Sequence, residues 1–262
     1  MPKRTSQEQF DQQAQHYNAQ WNAWSEASLE WLVERSRCAP SHHLLDVATG
    51  TGFTAAAFGP LVAQVTGLDV SEGMLRQARE RASAAGIANL RFERGAAEML
   101  PFAAASFDLV TCRVAPHHFL SVPDFAAESY RVLRPGGRLL VADTAVPDGE
   151  PEVDEWQNRV ESLRDNSHVR NYSPSEWSAF VTGAGLVLEE IAELRESQPI
   201  TLRDWMAKGG CRGEPAKQVE RMFQQAPAEA RRRFAITDLP DGDTSFQWMR
   251  VVLAARKAIQ ES

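Results

Sequence analysis

From residue 43 onward the chain alternates short apolar runs with stretches of helical period, and few architectures accept that alternation. The runs at 43–48, 64–70, 90–93, 107–112 and 137–143 read as strands, and the stretches at 54–62, 72–85 and 125–133 read as helices between them. Parallel neighbours need a long crossover, and a helix laid on the sheet provides it. The expected fold is therefore α/β, a doubly wound and mostly parallel sheet with helices on both faces. Asn89, Gly95, Pro101 and Ser106 mark turns, and Arg134-Pro135-Gly136-Gly137 separates a helix from the next strand.

The pattern loosens after Asp143. Pro147, Gly149 and Pro151 mark a loop, 152–165 reads as an amphipathic helix, and Ser173-Pro174-Ser175-Glu176 is a capped start for a helix at 177–182 that Gly183 and Gly185 end. Residues 186–194 read as a strand, 200–234 as further helices and 245–255 as a final strand. Before the alternation, 8–37 is polar, with Phe10, Tyr17, Trp21, Trp24 and Trp31 spaced for helical faces. With 262 residues, the chain reads as a helical cap over 1–40 and one large domain over 41–262, bearing helical lid insertions at about 150–172 and 199–236.

A net charge of −7 gives a phosphate backbone no general attraction, so no nucleic-acid partner is expected. Cys38, Cys112 and Cys211 are odd in number and form no CxxC pair, which reads as reduced thiols and a cytoplasmic protein. No apolar run has the length of a signal peptide or a membrane span, so no membrane partner is expected either.

The segment at 44–55 passes from a strand through a glycine turn into a helix. Gly50, Gly52 and Ala55 fit G-x-G-x-x-G/A, and Asp69 ends the next strand, where a carboxylate accepts from ribose hydroxyls. On this pattern alone a dinucleotide is allowed, and with it an NAD(P)-dependent oxidoreductase. Asp46 argues otherwise, because a carboxylate at that corner repels a pyrophosphate by about 4 kcal/mol at about 4 Å and an effective dielectric of about 20. It favours a ligand that brings positive charge to the turn, as S-adenosylmethionine does. The plainer alternative is that Asp46 only bonds the loop.

The residues at 44–52, 67–75, 96–102 with Ser106-Phe107-Asp108, and 131–137 resemble the class I S-adenosylmethionine-dependent methyltransferases, in particular the methyltransferase type 11 branch that is similar to the ubiquinone/menaquinone biosynthesis enzymes. That resemblance implies a seven-stranded sheet, its last strand antiparallel. It implies a cofactor loop of Asp46, Ala48, Thr49, Gly50 and Gly52, with Gly50 and Gly52 admitting the methionine part and Asp69 holding the ribose. Val70 and Met74 would flank the adenine, Ala96, Ala97 and Glu98 would meet its edge, and Arg113 would line the methionine end. The branch usually has Asp where this chain has Ala96.

The implied activity is methyl transfer to a small or medium, apolar or aromatic, organic acceptor, leaving S-adenosylhomocysteine; a cofactor-binding module without transfer chemistry is the alternative. His117 and His118 come after the fourth strand at the sheet edge where ligands bind, and either is a candidate general base. The bland reading is a pair that caps the next loop. His168, with Arg164, Asp165, Arg170 and Tyr172, forms a second polar cluster, read equally as a flap or a solvated face. His42 and His43 read as structural. Phe10 and Tyr17 are candidates to close over the cofactor, and Trp156, Trp177, Trp205 and Trp248 line an acceptor pocket or, for most of them, the core. No metal site is expected, since no HExxH occurs and Cys112-Arg113 lacks carboxylates. No oligomeric state is assigned.

Overall fold

The structure, a computed structural model, describes residues 5–13 and 25–259. Tyr17, Trp21 and Trp24 lie outside the described residues. Among the described residues, β1 (His43–Val47), β2 (Gln64–Asp69), β3 (Leu90–Arg94), β4 (Phe107–Arg113), β5 (Leu133–Thr144), β6 (Leu186–Arg195) and β10 (Met249–Lys257) form a seven-stranded sheet in the order β3-β2-β1-β4-β5-β10-β6. β1 pairs in parallel with β2 and β4, and β4 with β5. β10 is antiparallel to both of its neighbours.

Side-chain alternation builds two cores on one sheet. Leu45, Val110, Leu139 and Val251 point into one layer with Phe125 and Trp177, from α5 (Val122–Val132) and α7 (Pro174–Gly183). Their neighbours Leu44, Leu109, Leu140 and Val252 point into the other, with Leu32 of α2 (Glu26–Ser36) and Phe58 of α3 (Phe53–Phe58). Burial on both faces is what makes these strands continuous apolar runs. The edge strand β6 carries Glu189, Glu190 and Glu193 instead, which discourages pairing with another chain.

The later segments have a core of their own. α6 (Pro151–Arg164), α8 (Leu202–Lys208), α9 (Glu214–Gln224) and α10 (Ala228–Arg233) surround Trp156, Trp205, Phe223, Phe234, Phe246 and Trp248. The region expected to be purely helical also contributes to a three-stranded sheet in the order β7-β9-β8, from β7 (Ile200–Thr201), β9 (Thr244–Phe246) and β8 (Thr237–Asp238). The single strand expected at 245–255 is accordingly two, β9 and β10. They break where Gln247 donates its N–H to the Phe234 carbonyl and Trp248 turns into the lid core.

Two other boundaries move. The helix expected at 54–62 stops at Phe58, and Gly59–Leu61 forms a tighter 3-10 turn containing Pro60. The turn expected at 134–137 lies within β5, as a register shift between the Phe107–Leu133 and Leu109–Arg138 pairs with Gly136 at φ +82°. At the amino end, α1 (Ser6–Gln13) docks on α4 (Glu72–Ala84), where one Asp11 carboxylate oxygen accepts from the Ser71 hydroxyl at 2.5 Å and the Gly73 N–H at 3.2 Å.

Candidate active site at the carboxyl ends of the strands

The strand order reverses direction of growth at β1, with β2 on one side and β4 on the other, and a crevice opens where the connecting segments diverge. Ala48 at φ 54° and Val114 at φ 53° turn the chain sharply away from β1 and β4. Left-handed backbone at residues with a Cβ costs about 1–3 kcal/mol each, and both residues line the crevice. Gly50, at φ +55°, has open space where a Cβ would project, whereas at Gly52, φ +81°, a Cβ would stand 3.0 Å from the Ala78 Cβ. Gly50 thus faces the cleft, and Gly52 permits close packing of the loop on α4.

Asp69 fastens this loop. Its carboxylate accepts the Gly50 N–H at 2.8 Å and the Ser71 N–H at 2.9 Å, and it lines the cleft. Asp46 lies behind the loop, 1% exposed, accepting the Thr49 hydroxyl at 2.6 Å and the Thr111 hydroxyl at 2.8 Å. Burial pushes the Asp46 carboxyl up to about 6 against those two bonds. It likewise pushes Asp69 up to about 6 against the Ser71 and Gly50 N–H bonds.

The cleft holds about 1060 Å³, its open mouth included, and runs from the glycine loop to the lid. Ala48, Thr49, Gly50, Asp69, Met74, Arg113 and His117 line it, with Phe10. Arg113 also ties the start of α2 to this edge, donating to the Ser25 carbonyl at 2.9 Å and to the Thr54 hydroxyl at 3.0 Å. The remaining expected positions are elsewhere. Asp46 and Gly52 sit behind the loop, while Val70, Ala96, Ala97, Glu98 and His118 do not form the cleft wall. The Glu98 carboxylate instead accepts the Leu120 N–H at 2.8 Å.

The two adjacent histidines have different surroundings. His117, on the 3-10 turn Pro116–His118, donates its backbone N–H to Asp143 at 2.8 Å, and its Nδ1 lies 2.6 Å from the other Asp143 oxygen. Burial lowers the His117 pKa, but the Asp143 carboxylate outweighs it and the net shift is upward. With a proton on Nδ1 facing Asp143, Nε2 is the nitrogen left to accept one. His118 is buried, 3.1 Å from the Ser167 hydroxyl, with the Phe10 ring edge-on at 4.9 Å. Burial first, and then the neighbouring His117, push it down to about 4.

The segment after α6 packs on this turn, since the His117 carbonyl accepts the N–H groups of Val169 and Arg170. The lid end of the cleft adds Thr144, Glu161, Arg164, Ile200, Trp205, Trp248 and Arg250. Trp156 lies in the lid core and Trp177 in the sheet core. Asp143, Glu161 and Arg250 were absent from the sequence candidates. Only Asp143 carried a signal, its place at the carboxyl end of the strand beside β4.

A mostly parallel sheet with a reversed final strand, and a loop-and-carboxylate site at its carboxyl edge, define a class I methyltransferase. The methyltransferase domain family matches residues 45–141. The uncharacterized methyltransferase YcgJ of Bacillus subtilis is 36% identical over 233 residues, 89% of this chain and 91% of that protein. Its crystal structure superposes with a TM-score of 0.84 over 89% of this chain and 99% of that one. The ubiquinone/menaquinone biosynthesis C-methyltransferase UbiE of Dinoroseobacter shibae is 42% identical over 123 residues, 46% of this chain and 48% of that protein. Geranyl diphosphate C-methyltransferase of Streptomyces coelicolor, 17% identical, shares the fold at a TM-score of 0.64 over 89% of this chain and 78% of that one. The chain belongs to the methyltransferase family, and it is an S-adenosylmethionine-dependent methyltransferase.

Proposed function

We propose that the protein methylates a protic organic acceptor of small or medium size with an apolar or aromatic body, releasing S-adenosylhomocysteine. One observation carries the reading: a single cleft has Asp69 and the Gly50 loop at one end and the His117–Asp143 pair at the other.

The groups at the loop end fit the cofactor. Each Asp69 oxygen accepts one backbone N–H, which leaves a lone pair on each for the two ribose hydroxyls. Thr51 lines the cleft, and its buried hydroxyl oxygen has no partner among the described residues, so a polar ligand atom would satisfy it. Met74 and Phe53 supply apolar wall, and Asp46 behind the loop favours a ligand whose end is cationic. When bound, the cofactor supplies a methyl group on a sulfonium, a leaving group already activated.

The chain's own tasks are to orient the acceptor, exclude water and take up a proton. Asp143 fixes the His117 ring and Nε2 receives the acceptor's proton, while Trp205, Trp248 and Ile200 shield the site. His118, held neutral by burial, packs behind His117.

Methyl-labelled S-adenosylmethionine offered with fractionated cell extract tests this, with release of S-adenosylhomocysteine monitored for the wild type and His117→Ala. At least one fraction should sustain turnover, and loss of the base should slow it by about 10²–10⁴. Turnover unchanged in His117→Ala would remove the histidine from the chemistry.

A further inference from the structure

At the lid end of the cleft sits a carboxylate that no described residue hydrogen-bonds or pairs with directly, held only by the nearby charges of Arg164, His117 and Arg250. Glu161 lies in the last turn of α6, 6% exposed, in the cleft wall, and its carboxylate makes no hydrogen bond or ion pair with any described residue. The other charges there are committed. The Arg164 guanidinium donates to the Trp205 carbonyl at 3.3 Å and lies 3.8 Å from Asp165; Arg250 lies 3.4 Å from Glu196 and donates to the Thr144 hydroxyl; His117 has Asp143. Each of those cations serves another carboxylate at shorter range, so Glu161 shares their charge and has none of its own.

A buried carboxylate is costly unless something pairs with it, and burial pushes the Glu161 carboxyl above the usual carboxylate range. Two indoles, Trp205 and Trp248, and Ile200 line the same cleft, with the Arg164 guanidinium over the Trp205 ring at 4.9 Å. A carboxylate in an indole-lined cleft suits a protonated nitrogen on an apolar body, through an ion pair and apolar contact together. An anionic acceptor would meet Glu161 and find both guanidiniums already occupied.

We infer that Glu161 is the acceptor-recognition residue and that the acceptor carries a small amine: its protonated nitrogen pairs with Glu161, its apolar body lies against Trp205 and Trp248, and the methyl goes to a second, protic group that gives its proton to His117, since the ammonium has no lone pair to take it. This rests on the methyltransferase reading above. The buried charge, only partly offset by those cations, is then the cost that the ligand-free protein bears to select its acceptor.

Calorimetry on protein loaded with S-adenosylhomocysteine tests it, using phenethylamine, 2-phenylethanol and 3-phenylpropionate as matched probes, and butylamine against butyrate as a shorter pair. The amines should bind at least about tenfold more tightly than their counterparts, and Glu161→Gln should abolish that preference while leaving S-adenosylhomocysteine affinity within about twofold. Without ligand, Glu161→Gln should raise the melting temperature, because burial of the charge outweighs the help it has from Arg164, His117 and Arg250; a carboxylate with a structural partner would shift it down. Preference for the carboxylates, no binding by either amine, or a lowered melting temperature with the amine preference intact would each overturn the inference. Failure of S-adenosylhomocysteine to bind the wild type overturns the parent reading and this one with it, whereas its binding without an amine preference overturns this one alone.

Discussion

Asp143→Asn is the substitution that most sharply separates an oriented base from a buried histidine that merely packs. Asp143 is 1% exposed and accepts two hydrogen bonds from one residue, the His117 N–H at 2.8 Å and Nδ1 at 2.6 Å. A hydrogen bond to a charged partner contributes about 1.5–3 kcal/mol, and about 1.36 kcal/mol corresponds to one pKa unit, so the neutral amide should lower the His117 pKa by about 1–2 units. Asparagine also has only one oxygen. If that oxygen takes the backbone N–H, its amide hydrogens face Nδ1 and move the imidazole proton to Nε2, turning the cleft-side nitrogen from acceptor to donor. Nitrogen–proton correlation spectra of the labelled imidazoles across pH read both quantities without knowledge of the acceptor. In the wild type His117 should titrate above 6.5 and carry its neutral-state proton on Nδ1. Because the folded pKa is raised, the stabilisation from the pair is fully present below 6.5 and is lost as pH rises through the raised value. The acid limb of any activity that needs the neutral ring lies in the same window. An unchanged midpoint and tautomer in Asp143→Asn would refute the reasoning.

Cofactor binding should weaken as pH falls through about 6, where Asp46 and Asp69 take up protons and Asp69 can no longer accept freely, and calorimetry with S-adenosylhomocysteine across pH reads this. In the ligand-free protein the sign is opposite: neutral carboxyls there contribute stability below 3.8 that is lost as pH rises through about 6. Gly52→Ala forces a Cβ to 3.0 Å from Ala78 at φ +81°; the left-handed penalty alone is about 1–2 kcal/mol, a fall in melting temperature of roughly 2–8 °C in a calorimetric scan. Phe223→Ala, at a site 1% exposed in the lid core, should cost about 3–5 kcal/mol and raise hydrogen exchange in 151–164 and 200–248 before the parallel strands. Equal acceleration throughout the chain would mean that the lid core and the sheet open as one unit.

The parallel strands and the glycine loop were legible because double burial and sharp turns leave strong local marks, the apolar runs at 43–48 and 107–112 and the pair Gly50 and Gly52. The lid sheet was not, since β7 and β8 have two residues each and β9 three, too short for a period-two signal. At the site, Asp69, Gly50 and His117 could be placed because the end of a parallel strand fixes where its next few residues must stand. Asp143, Glu161 and Arg250 come from β5, α6 and β10, and no spacing in the chain announces that they meet. Glu98 shows the reverse: its motif led to the cofactor, while its carboxylate accepts the Leu120 N–H outside the cleft wall.

Calorimetric titration of S-adenosylhomocysteine and of NAD into the wild type and Asp69→Ala tests the central claim most directly, with circular dichroism to confirm that the variant is folded. The account predicts that S-adenosylhomocysteine binds the wild type, that Asp69→Ala loses at least about tenfold in affinity, and that NAD does not bind. Equal binding of S-adenosylhomocysteine by the folded Asp69→Ala variant, or binding of NAD in its place, would contradict the assignment of the cleft.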